Sequence, residues 1–147
     1  NKAALPTNNN DLETAYSGSD YTNVATINQV YVNQSATDEY AIHQYKDFAD
    51  VTEEHNKCHI EWVGQTDVAP SLSPIYLQIY NHVTPGWETI SQMPIDYDSP
   101  FASYDGPYRY YDSVEADTDF YLTANITDLT NYKSGGVVSC RIWQLDV

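Results

Sequence analysis

Basic residues are scarce in this chain. Lys and Arg number 6 among 147 residues, against 21 Asp and Glu, for a formal net charge of −15. Phosphate backbones are held by clustered Lys and Arg, so the expectation is a protein without a nucleic-acid partner. An anionic membrane surface would repel it for the same reason. Long apolar runs are missing as well; nothing approaches the roughly 18 residues of a membrane-spanning helix. The opening Asn1-Lys2-Ala3-Ala4-Leu5-Pro6 lacks a hydrophobic signal core, so any export signal is expected to be gone or never to have existed.

Chemistry-bearing motifs are equally thin. No Gly-x-Ser-x-Gly elbow and no glycine-rich phosphate loop occurs in the sequence. With 21 acids some pair must face each other somewhere, so paired carboxylates single out no glycosidase site. The segment His55-Asn56-Lys57-Cys58-His59 gathers metal-ligand types, but on a strand Cys58 and His59 point to opposite faces. No catalytic residue is assigned, and the expectation is a non-enzyme.

What is present is β pattern. Segments 27–32, 40–45, 57–63, 75–80, 87–90, 118–124 and 137–144 alternate with period two or are β-rich. Turn chemistry separates them at Gly64, Pro70 and Pro74, at Thr84-Pro85-Gly86 and at Ser134-Gly135-Gly136. In the fourth segment Ile75, Leu77 and Ile79 face one way and Tyr76, Gln78 and Tyr80 the other. No stretch sustains helical apolar spacing. The reading is all-β: a single jelly-roll-like β-sandwich over residues 27–147, of a size that one core can support.

Residues 1–26 differ from this body. Asn8-Asn9-Asn10 and Ser17-Gly18-Ser19 leave little apolar surface, so an extended N-terminal arm is expected, with a short helical turn around 11–16 capped by Asn10 or Asp11. Leu5 and Leu12 are the large aliphatics and Tyr16 the aromatic among its first 20 residues. Ordering backbone costs about 1–2 kcal/mol per residue, which so few apolar groups do not offset locally. Leu5, Leu12 and Tyr16 are therefore expected to contact another chain, by pairing the arm with a neighbour's sheet edge.

Cys58 and Cys140 are too few for a disulfide scaffold. Both fall in phase with apolar strand neighbours, Cys58 with Ile60 and Trp62, Cys140 with Val138 and Ile142. Two readings stay open: buried free thiols, or a core bridge formed in an oxidising compartment.

Tyrosine is the enriched type, 14 in all, and the stretch between segments 87–90 and 118–124 concentrates it. Phe101, Tyr104, Tyr108, Arg109, Tyr110 and Tyr111 lie together there, residue types favoured at protein interfaces. The alternatives are packing of this long loop on its own sheet and sugar stacking, for which Trp87, Tyr104, Tyr108 and Tyr110 are the candidates. Asp96, Asp98 and Asp105 supply oxygens suited to calcium, set against the plainer reading of solvated acids. No other cofactor is expected.

The order of motifs carries a resemblance. Asp11-Leu12-Glu13-Thr14-Ala15-Tyr16, Tyr40-Ala41-Ile42-His43-Gln44-Tyr45-Lys46 and Ile75-Tyr76-Leu77-Gln78-Ile79-Tyr80-Asn81 form its first half. Trp87-Glu88-Thr89-Ile90, Ala116-Asp117-Thr118-Asp119-Phe120, Leu129-Thr130-Asn131-Tyr132 and Val138-Ser139-Cys140-Arg141-Ile142 complete it. Together they resemble small β-sandwich modules of uncharacterised surface or virion-type proteins from environmental bacteria and phages. The likeness spans about residues 11 to 144 and departs at the tyrosine-rich stretch. It implies no catalytic activity. It implies a structural subunit of a virion (capsid decoration or fibre) or of an extracellular filament, bound to itself or to other structural proteins outside the cell or on the virion surface. A carbohydrate-binding module is the alternative.

Overall fold

The structure is a computed structural model that describes residues 1–27, 29–48, 56–101 and 114–147. One short helix, α1 (Gly18–Val24), precedes the strands β1 (Tyr40–Phe48), β2 (Cys58–Gly64), β3 (Ile75–Asn81), β4 (Gly86–Met93), β5 (Phe120–Ile126), β6 (Lys133–Ser134) and β7 (Val137–Leu145). They form two antiparallel sheets: one with the order β1-β7-β3-β4 and β6 beside β7, the other β2-β5. The all-β expectation therefore holds.

Side-chain parity explains the layering. In register, Ile75, Leu77 and Ile79 of β3 stand opposite Gln144, Ile142 and Cys140 of β7. A register shift at Leu77/Gln78 marks a bulge in the β3–β4 pair, and Ile90 of β4 is completely buried beside it. From the second sheet Phe120, Leu122, Ala124 and Ile126 enter the same core, joined by Val114, Leu129 and Tyr132 from the connections. Cys58, Ile60 and Trp62 pack against it in the phase the sequence implies. The β6–β7 turn is made by Gly135 and Gly136 at φ 58° and 80°, the backbone that a two-residue hairpin of this twist requires.

Two expected elements are corrected. The helical turn lies at Gly18–Val24 and not at 11–16. Ser17 and Asp20 form a reciprocal capping box, Asp20 N–H to Ser17 Oγ and Ser17 N–H to Asp20 Oδ2. The carboxylates of Asp11 and Glu13, which would have favoured the earlier start, are drawn into ion pairs with Lys46 and Lys2 at 2.6 and 2.5 Å. The strand expected over 27–32 is irregular in its described residues, with Gln29 at φ 60° and Ile27 68 % exposed. A β-rich composition makes no strand where no partner strand is offered.

Candidate functional site

The first sheet has a second face, opposite the core, and the N-terminal arm lies on it. By register this outer face carries Ile42 and Gln44 of β1, Ser139, Arg141 and Trp143 of β7, Tyr76 and Gln78 of β3, and Trp87 of β4. Arg141 sits on this face yet is only 4 % exposed. Its Nε donates to Gln78 Oε1 at 2.8 Å and its Nη1 to the Pro6 carbonyl at 2.7 Å, with the guanidinium 4.4 Å over the Trp87 ring. Among the described residues no carboxylate is ion-paired with it. Burial pulls its pKa down to about 10, which leaves it charged at neutral pH.

Three carbonyls of the arm accept from side chains of three strands. Besides Arg141 and Pro6, Trp87 Nε1 donates to the Asn8 carbonyl at 3.0 Å and Gln44 Nε2 to the Asn9 carbonyl at 3.2 Å. Asn9 Nδ2 returns a bond to Ser139 Oγ at 3.3 Å. At the outer edge of β1, Lys2 and Tyr40 exchange two main-chain bonds of 3.0 and 2.8 Å, so the arm covers part of an otherwise open strand. Further on, Tyr16 reaches the other face of β1. Its hydroxyl is hydrogen-bonded to His43 Nδ1 and lies 3.2 Å from the Tyr45 hydroxyl. Burial drives the Tyr16 pKa up and that of His43 down, the latter helped by the charge of the N-terminal amine. Together these contacts make a clasp around β1.

Residues 1–20 are expected to add little to their own core and to make most of their contacts with another chain; in this structure the arm is seated on its own sheet. Leu5, Leu12 and Tyr16 are half-buried within the chain itself. The energetic argument counted apolar groups alone, whereas the arm is held through its main-chain carbonyls and ion pairs. It still supplies no residue to the buried core.

Other expected site residues fall in three places. Phe101 is half-buried, edge-on to Tyr132 at 6.4 Å, and its carbonyl accepts the Asn125 N–H at 3.1 Å. Tyr104, Asp105, Tyr108, Arg109, Tyr110 and Tyr111 lie outside the described residues. Asp96 turns its carboxylate onto the Asp98 N–H at 3.0 Å, and among the described residues no three His, Cys, Asp or Glu gather as a metal-sized group.

Cys58 and Cys140 are unbridged and stand on different sheets, each packed against the shared core. Burial raises both thiols, Cys140 to about 12 with Cys58 adding to the shift.

Sequence reasoning missed Arg141, Gln78, Gln44 and Trp143. The available signal was a Gln within the apolar strand Ile75–Asn81 and an Arg between Cys140 and Ile142. Strand parity sets both on the side opposite the core and says nothing of what covers that side. Comparison with protein-family models, with curated proteins and with solved structures finds no match to this chain.

Proposed function

We propose that this chain is a non-enzymatic structural protein, a small jelly-roll-like sandwich that serves as a subunit of a virion surface (decoration or fibre) or of an extracellular filament. The arm and the outer face of the first sheet would form the joint between subunits. One observation carries the reading: a buried Arg141, with Trp87 and Gln44, forms a receptor for the main chain of an extended segment. Recognition through carbonyls and an open strand edge is how extended peptides are commonly added to sheets. The negative charge and the scarcity of Lys and Arg fit a partner that is protein and not nucleic acid.

Size exclusion with native mass spectrometry tests this on the full chain and on a chain lacking residues 1–17. Concentration-dependent oligomers that vanish on truncation support it. A full-length chain that stays monomeric at every concentration, alone and with its native assembly partners, refutes it.

Carbohydrate binding is the second reading. It is favoured by Tyr76 and Trp143, half-buried and stacked at 4.4 Å on the outer face, with Tyr40 edge-on to Trp143 at 5.4 Å. Trp87, the earlier candidate, has the Arg141 guanidinium over its ring. A glycan array without signal above background would remove this reading.

A further inference from the structure

The arm and α1 form a unit with contacts of its own. Within it, Lys2 pairs with Glu13, and Tyr16 meets Tyr21 edge-on at 5.7 Å. No described residue before β1 belongs to the buried core, so the body's packing is the same whichever chain supplies the arm. The receptor is different. Without an arm, Arg141 and Ile42, both 4 % exposed, would lose their cover, and so would Ser139. Uncovering this face returns Arg141 and Ser139 to water, with Arg141 still bonded to Gln78, and exposes the apolar Ile42. An arm from either chain would keep that face covered.

Residues 25–39, between α1 and β1, have no regular structure in their described part. Among the described residues they include three exposed apolar side chains: Ile27 is 68 % exposed, Val30 50 % and Tyr31 37 %, with Val24 just ahead of them at 43 %. Contacts of this connector with the body include the Tyr31 hydroxyl to Asp119 at 2.7 Å, Asp38 N–H to Asp146 at 3.2 Å and Asp146 N–H to the Glu39 carbonyl at 3.0 Å. Fully extended, 15 residues reach about 50 Å. A domain of this size has a radius of gyration of about 15 Å, so a touching neighbour is within reach.

We propose that two copies of this chain exchange arms: residues 1–24 of one copy lie on the Gln44–Trp87–Arg141 face of the other, and the two connectors cross at the neck between them. The inference rests on the assembly reading above and names its partner, a second copy. Each contact of the closed chain is remade between copies, so exchange forfeits nothing at the receptor. The gain is at the neck, where Val24, Ile27, Val30 and Tyr31 of both copies can bury one another. Exchange of an identical element is a low-cost route to oligomers for that reason.

The ion pair between Lys46 of β1 and Asp11 of the arm, at 2.6 Å, reports which chain holds which arm in the unmodified protein. Equal amounts of nitrogen-15-labelled and unlabelled full-length chain are mixed in denaturant, refolded at high concentration and separated by size. Each fraction is treated with a zero-length carbodiimide, digested and weighed. Lys2–Glu13 pairs lie within one arm and must be of single isotope in every case. Exchange gives mixed-isotope Lys46–Asp11 pairs in the assembled fraction, about half of the total for random pairing of two copies. Single-isotope Lys46–Asp11 pairs in an assembled fraction overturn exchange and leave the assembly reading standing. Absence of any assembled fraction overturns both.

Discussion

Arg141 of β7 donates from Nη1 to the carbonyl of Pro6, 2.7 Å away and 135 residues earlier in the chain. The same guanidinium covers Trp87, whose indole N–H holds Asn8. One buried cation thus ties the start of the chain to two strands of the sheet beneath it. Charge-assisted hydrogen bonds contribute about 1.5–3 kcal/mol and a desolvated cation–π contact up to about 2 kcal/mol. Arg141→Gln should therefore lower stability by about 2–4 kcal/mol in urea melts and expose the amides of residues 2–10 to hydrogen exchange. A change under about 0.5 kcal/mol, with those amides still protected, would mean that the arm is held elsewhere.

Gly64 ends β2 beneath the Trp62 ring. A Cβ placed there would lie 2.4 Å from Cζ2 and 2.5 Å from Cη2 of that ring. The ring is itself edge-on to Phe120 at 5.4 Å, so it has little freedom to move away. Gly64→Ala should cost about 1–3 kcal/mol, the usual range for overpacking. The same substitution made beside Trp62→Leu should cost much less, because the clash is gone. Equal costs in the two backgrounds would show that the ring is not the obstacle.

The His43 imidazole should make the fold sensitive to mild acid. Burial, and secondarily the charged N-terminus, lower its folded pKa, while the unfolded chain titrates near 6.5. The unfolded state therefore binds the proton first. Stability is full above about pH 6.5 and declines as pH falls from there to the folded pKa, below which the loss is complete. The same ring is hydrogen-bonded through Nδ1 to the Tyr16 hydroxyl, so its protonation acts on the clasp directly. Urea midpoints at pH 7.5 and 5.5 measure this, and His43→Gln should flatten the difference. Glu13, Asp20 and Asp128, whose pKa values are lowered chiefly by hydrogen bonds, act in a separate window below about pH 4.5. An unchanged slope in the His43 variant would assign the acid response to those carboxylates.

The two thiols should be slow to alkylate in the folded protein at pH 8, Cys140 slower than Cys58, because burial holds both in the protonated form. Oxidised glutathione should convert them to a bridge between the sheets, releasing two reduced glutathiones and removing two hydrogens from the chain. The closed loop of about 80 residues would add up to roughly 4 kcal/mol, less any strain. A mass unchanged after long oxidation of the folded protein would show that the sulfurs do not come within bonding distance.

The sheets were legible because period-two alternation sorts side chains without help from distant residues. Ile75, Leu77 and Ile79 announced a core face, and Ser134-Gly135-Gly136 announced the last turn, though not the short strand β6 ahead of it. The clasp was not legible. Pro6, Asn8 and Asn9 contribute carbonyls, which every residue has, so no side-chain pattern reveals them. Arg141 falls between Cys140 and Ile142, so parity sets it on the side opposite the core and gives no sign that the side is covered. A face opposite the core is wet only if no other segment lies on it, and that is decided by tertiary structure. Residues 27–32 erred the other way, since β-rich composition counts for little without a neighbour to pair with.

The joint itself is tested most directly by sedimentation velocity over rising concentration, with the full-length chain beside Arg141→Gln and near-UV circular dichroism to confirm that both bodies are folded. The natural chain should pass from its 16.7 kDa monomer to larger species, and the variant should remain at the monomer with its core intact. A natural chain that never leaves the monomer, or a folded variant that assembles as readily, would contradict the assignment of the arm and the Arg141 face as the subunit joint.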